Sequence, residues 1–180
     1  MQGTETVSRG GYERFSAQAL AADFPDDLIA RIEPRINTLP IAAHLGIHAR
    51  IARSGVVTAA LSEIQPFHLG GNGDGLALNG AVIMGLLYCA IISPALMHAL
   101  GADCATLEIN VRMANAVDPR EVRAMGCAVS RSRQLIHSNA AIFDWRGEPR
   151  IFASGIVMRT RSPGLAQGAE IALAGEAHVA

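Results

Sequence analysis

The stretch Leu69-Gly-Gly-Asn-Gly-Asp-Gly-Leu-Ala-Leu-Asn79-Gly-Ala-Val-Ile-Met-Gly-Leu-Leu-Tyr88-Cys-Ala-Ile-Ile92 decides the fold. A loop with five glycines between Gly70 and Gly80 opens through Asn79 into a helix that is apolar on every side. Such a helix has to be buried on every side, in a protein core or in a membrane. Its first turn carries backbone N–H groups with no helical partner, and the aligned peptide dipoles make that end electropositive. Downstream, Cys104 to Met113 alternates: Ala105, Leu107, Ile109, Val111 and Met113 are assigned to one face, and Thr106, Glu108, Asn110 and Arg112 to the other. A buried helix followed by strands predicts an α+β chain in which a curved antiparallel sheet wraps one long helix. Chemistry is expected at the mouth of that helix.

Working outward, Pro25-Asp-Asp-Leu-Ile-Ala-Arg-Ile reads as a short helix, with proline and two carboxylates in its first turn and an expected end near Pro34. Thr38 to Ile47 reads as a turn and entry segment. His48 to Arg53 and Val56 to Glu63, split by Ser54-Gly55, read as a hairpin. Gly101 is a candidate cap for the central helix. Further strands are expected over Arg120 to Arg131, Leu135 to Phe143 and Arg150 to Thr160. The absence of an alternating helix–strand repeat argues against a parallel doubly wound sheet. The expected division is a flexible arm over 1–22, one domain over 23–160 and a flexible Ala/Gly-rich tail over 161–180.

With 180 residues, the chain can bury one real core; 50% hydrophobic and 17% charged residues exclude a disordered chain. A net charge of −1 offers no basic field for nucleic acid. All fifteen cations are arginine, which removes Schiff-base chemistry on lysine. Cys89, Cys104 and Cys127 match no metal spacing and read as small core residues of a cytoplasmic protein; no metal site is expected. The opening Met1-Gln-Gly-Thr-Glu has no basic stretch leading into an apolar run, so no secretory leader is expected. Ala81 to Met97 reaches the lower limit of about 17 residues for a membrane span. Tyr88, Ser93-Pro94, His98 and the lack of flanking positive charge favour burial in a soluble protein instead.

From Thr38 to Thr160 the chain resembles the hotdog-fold thioesterases, of the phenylacetate-degradation type that acts on acyl-CoA. The resemblance rests on Leu39-Pro40 through His44-Leu-Gly-Ile47, on Leu78-Asn-Gly-Ala81 where that family has His-Gly-Gly at the start of its helix, on Thr106-Leu-Glu-Ile-Asn110, and on the basic turn Arg131-Ser-Arg-Gln-Leu135. It implies a hotdog fold, thioester hydrolysis, coenzyme A as part of the substrate with no separate cofactor, and a homodimer or dimer of dimers. Two departures stand out. Asn79 replaces the motif histidine, and Tyr88 occupies the position where the family carries an Asp or Glu as nucleophile or base.

Thioester hydrolysis places negative charge on the carbonyl oxygen, so preorganised donors matter most. The Gly80 or Ala81 amide is the candidate donor, with the Asn79 side chain orienting the carbonyl or a water; Asn79 is equally suited to cap the helix. Tyr88 can polarise or hold a water, since a phenol of pKa near 10 is no base at neutral pH, or it can simply fill core. The base is then sought in Asp74, Glu63 or His68, and His68 is also counted among the substrate-binding residues. His44 and His137 read as structural, and His98 as a partner of the helix's negative end. Arg112, Arg131 and Arg133 are candidates for phosphate, whose geometry suits guanidinium. Leu76, Met84 and Leu87 are expected to line the acyl path. The rival readings are a non-catalytic acyl-thioester binding or regulatory protein, and a hotdog dehydratase, for which no His–acid pair can be assembled.

Overall fold

The computed structural model describes residues 10–70, 77–120 and 122–160. In chain order these form α1 (Gly10–Ser16), α2 (Asp26–Asn37), α3 (Pro40–Leu45), β1 (Ile47–Ile51), β2 (Val57–Leu61), a 3-10 turn (Pro66–His68), β3 (Leu69–Gly70), β4 (Ala77–Leu78), α4 (Gly80–His98), β5 (Cys104–Met113), β6 (Arg123–Arg131), β7 (Leu135–Phe143) and β8 (Pro149–Arg159). Six strands make one antiparallel sheet in the order β1-β2-β6-β7-β8-β5. The sheet lies along α4, whose Val82, Leu86, Leu87, Cys89, Ala90, Ile91, Ala95 and Met97 are fully buried. The expected α+β fold, a long helix held in an antiparallel sheet, is the one observed. By length and composition α4 could cross a membrane; fourteen of its nineteen residues are instead enclosed by protein.

Close approach of helix and sheet is fixed at Gly126. A Cβ there would fall on the Ala90 carbonyl oxygen, so β6 can touch α4 only where a side chain is missing. That carbonyl is also the one to which Pro94 cannot donate, because proline has no N–H. α4 nevertheless continues through Pro94, held by burial on all sides.

Several expectations are corrected. Residues 10–22, expected within a loose arm, include α1, whose Phe15 and neighbouring Tyr12 pack on Phe143, Met125 and Cys127 on the sheet face away from α4. α2 runs one turn beyond Pro34 because Ile36 is fully buried and Thr38 caps the end through the Pro34 carbonyl. Pro40 to Leu45 is helical, with proline in its first turn and Gly46 left-handed behind it. The β5 pattern changes phase: a bulge between Thr106 and Glu108 leaves Leu107 exposed, while Ile109 and Val111 face the core and Thr106 carries a buried Oγ1. β6 begins at Arg123 rather than Arg120. The expected glycine loop is flanked by a short hairpin, Leu69 and Gly70 pairing with Leu78 and Ala77.

Candidate active site

Asn79 is the residue on which the site turns. It is the N-cap of α4: its Oδ1 accepts from the Val82 N–H at 2.9 Å, and its carbonyl accepts from Ile83. Its Nδ2 donates to the Phe67 carbonyl at 2.5 Å, and its own N–H donates to the His68 carbonyl at 2.9 Å. Asn79 is therefore a clamp that fastens the 3-10 turn to the start of the helix, and both polar atoms of its side chain are engaged.

What that clamp leaves open are the N–H groups of Gly80 and Ala81. Neither has a hydrogen-bond partner among the described residues, and both residues are exposed. They sit at the positive end of a nineteen-residue helix of which fourteen residues are buried. Two parallel amides in that position are equipped to receive an oxyanion.

His68, one turn of chain ahead, is 1% exposed. Gln65 and His68 form a reciprocal cap on the 3-10 turn, in which the Gln65 N–H donates to His68 Nδ1 at 3.0 Å. The ring proton consequently sits on Nε2. That atom is buried without a partner among the described residues. Sequence reading singled out His68 but missed the cap that orients it; the signal was present in Gln65-Pro66-Phe67-His68, a cap residue, a proline at the first position and a polar side chain at the third.

Along α4, Gly80, Ala81 and Met84 are exposed and Tyr88 is half-buried, so one stripe of the helix's first two turns stays open. The Tyr88 ring packs partly on the core, and its hydroxyl has no hydrogen-bond partner among the described residues. Leu87 lies in the core, off this stripe. Asp74 and Leu76 lie outside the described residues. Glu63 is exposed and accepts from Gln65 Nε2 at 3.0 Å, which links it through Gln65 to His68.

The three arginines do not converge on the mouth. Arg112 faces away from α4, in a groove of about 350 Å³ with Phe15, Gln18, Asn139 and Phe152. Arg131 donates to the His98 carbonyl at 3.4 Å, at the opposite end of α4. Arg133 lies beside it, with Arg159 and Asp103 around a concavity of about 690 Å³. Nineteen residues of helix separate that end from Asn79, roughly 28 Å at 1.5 Å per residue. His44 is exposed near the Phe67 ring, and His137 is exposed on β7. Cys89 and Cys127 are free and buried, and burial pushes each thiol up to about 11. Among the described residues, no three His, Cys, Asp or Glu side chains gather where they could hold a metal ion.

No family model matches the sequence. No curated protein matches it either. Solved structures do match in fold. A thioesterase-superfamily-related protein from Shewanella oneidensis superposes with a TM-score of 0.63 at 16% identity, covering 75% of this chain and 97% of its own. A thioesterase family protein from Silicibacter pomeroyi gives 0.60 at 18% identity, over 73% and 96%. The PaaI protein of the E. coli phenylacetic acid degradation operon gives 0.60 at 11% identity, over 74% and 94%. The fold is thus the hotdog fold that these thioesterase-superfamily proteins share.

Proposed function

We propose that this protein hydrolyses an acyl thioester, carried on coenzyme A or an acyl-carrier protein, at the amino-terminal mouth of α4. The observation that carries the reading is the pair of unspent amides, Gly80 and Ala81, at the exposed end of a largely buried apolar helix. In the reaction water adds to the carbonyl carbon and the carbonyl oxygen takes up charge against the two amides. The C–S bond then breaks, the thiolate takes the proton the water gave up, and a carboxylic acid and a free thiol leave. Loss of one such donor raises a barrier by about 3 kcal/mol. Met84 and Tyr88, on the open stripe, flank the acyl group.

The water's proton goes to a carboxylate. His68 is excluded from that role by its geometry: Nδ1 is already accepting and Nε2 carries the proton. Glu63, tied through Gln65 to His68, and Asp74 ahead of the helix are the two candidates.

The partner is a second copy of the chain. β5 ends the sheet with an unpaired edge and exposed Leu107 and Met113, and Ile41, Phe67 and Met84 are exposed around the start of α4. Arg131 and Arg133 then grip the phosphates of a ligand whose thioester lies in the neighbouring protomer's mouth, since their own is about 28 Å away. A cytoplasmic setting fits three free cysteines.

A second reading, a binding protein that retains the pocket without turnover, is favoured by Tyr88, which stands two turns into α4 where the resemblance places a carboxylate. A panel of acyl-CoAs with thiol detection decides between the two. Release of thiol that falls at least about 100-fold in Glu63→Gln or Asp74→Asn supports the hydrolase and identifies its base. Tight binding with no turnover, together with turnover gained in Tyr88→Asp, supports the binder. Neither binding nor turnover with any acyl-CoA or acyl-carrier-protein thioester would remove both.

A further inference from the structure

Asn79 is the residue that sequence reading places beside the carbonyl, and its side chain already holds the clamp, Oδ1 accepting from the Val82 N–H and Nδ2 giving one of its two protons to the Phe67 carbonyl. Beside that clamp lies a buried side-chain proton with no partner among the described residues. His68 is only 1% exposed, its Nδ1 is occupied by the Gln65 N–H, and its Nε2 is buried with nothing to donate to among the described residues. A buried donor without an acceptor is held at a free-energy penalty, and proteins retain such groups where a ligand or bound water completes them. The His68 carbonyl accepts the Asn79 N–H, so the imidazole is anchored next to the residue that precedes the two free amides.

We infer that His68 is a side-chain donor of the site, its Nε2–H binding the acyl carbonyl oxygen alongside the Gly80 and Ala81 amides. This rests on the thioester reading above and names the residue that completes it. A neutral imidazole suits that role because it donates one hydrogen bond and adds no fixed charge. The Gln65 cap sets its tautomer and holds the ring still, so the donor is preorganised. The Phe67 ring, itself 53% exposed, packs at 4.2 Å from the imidazole and is the aromatic neighbour of the donor. Asn79 acts through the other two as a positioning residue, since it ties the turn that carries His68 to the helix that carries the amides.

Two substitutions divide the ring's two nitrogens. In His68→Asn the side-chain oxygen replaces Nδ1 and can keep the Gln65 cap, while the Nε2 donor is gone. In His68→Gln an amide NH2 replaces the Nε2 donor and the cap is lost. The inference expects His68→Asn to melt like the wild type and lose at least about 100-fold in kcat, with His68→Gln less stable but recovering much of that kcat. Wild-type kcat in a folded His68→Asn would overturn it and leave His68 a structural cap. The second measurement needs no turnover: nitrogen-15 and proton shifts of the His68 Nε2–H in wild-type protein, titrated with a non-hydrolysable acyl-CoA ketone in which CH2 replaces sulfur. A downfield proton shift on saturation supports the inference even if the chain only binds thioesters. Saturable binding with an unmoved Nε2–H overturns it while leaving the thioester reading intact. Failure to bind the ketone at all overturns both.

Discussion

Asp144 shows how a single carboxylate can be stabilised inside a turn. Its Oδ1 accepts from the Arg146 and Glu148 N–H groups at 2.9 and 3.0 Å, and its Oδ2 accepts from Arg150 Nε and Nη2 at 2.8 and 2.6 Å. Burial by itself would push the carboxyl up; the bonds from Glu148, Arg150 and Arg146 outweigh it and hold the group below its ordinary 3.8. A carboxyl with a depressed folded value contributes stability that is present above about pH 4 and is lost as pH falls through the folded value. Asp144→Ala removes the acceptor from a nearly buried ion pair and should destabilise by about 3 kcal/mol at pH 7 in urea unfolding. The same variant should lose less than the wild type on acidification from pH 5 to pH 3. A variant as stable as the wild type at pH 7 would show that the turn holds without it.

At the scale of the element, α4 shows the two ends of a helix put to different uses. Its amino end keeps two amides open, whereas its carboxyl end is closed: the carbonyls of His98, Leu100 and Gly101 receive Arg131, Arg31 and Arg35 respectively. His98, in the last turn, packs edge-on against Phe24 at 5.0 Å. Burial, and after it the Arg131 charge, push its imidazole below 6.5. The sign follows from the proton count. Between the folded and unfolded values the unfolded chain binds more protons, so stability is lost as pH falls below about 6.5. Thermal melts should therefore show a declining Tm between pH 7.5 and pH 5.5, and His98→Leu should flatten that decline. An equally steep decline in the variant would place the effect on another group. The sequence places His98 at the helix's negative end; the arginines meet the carbonyls there, and the half-buried ring is held toward its neutral form.

For the whole molecule, both faces of the central strands are covered, α4 on one side and α1 on the other, while the β5 edge and the open stripe of α4 are not. In the proposed dimer a second chain covers both, and light scattering should then give about twice 18.9 kDa. Met84→Glu, on a residue 38% exposed, should return the monomer mass with an unchanged melt of the fold. A monomer at high concentration in the wild type would remove the second copy from the site and with it the phosphate role of Arg131 and Arg133.

The fold was legible because it depends on pattern. A run apolar on all sides must be enclosed whatever surrounds it, and the strands after it alternate with the period of a half-buried sheet. Asn79 as a cap and the open amides behind it were legible for the same reason, since helix starts are governed by residues adjacent in sequence. Tertiary contacts alone decided the rest. A bulge at Leu107 reversed half of one strand's faces, and burial of Ile36 and Phe15 built helices where local signals predicted an end and a loose arm. The tie between His68 and Asn79 was of this kind, since a hydrogen bond between residues eleven positions apart is not written in either residue's neighbourhood.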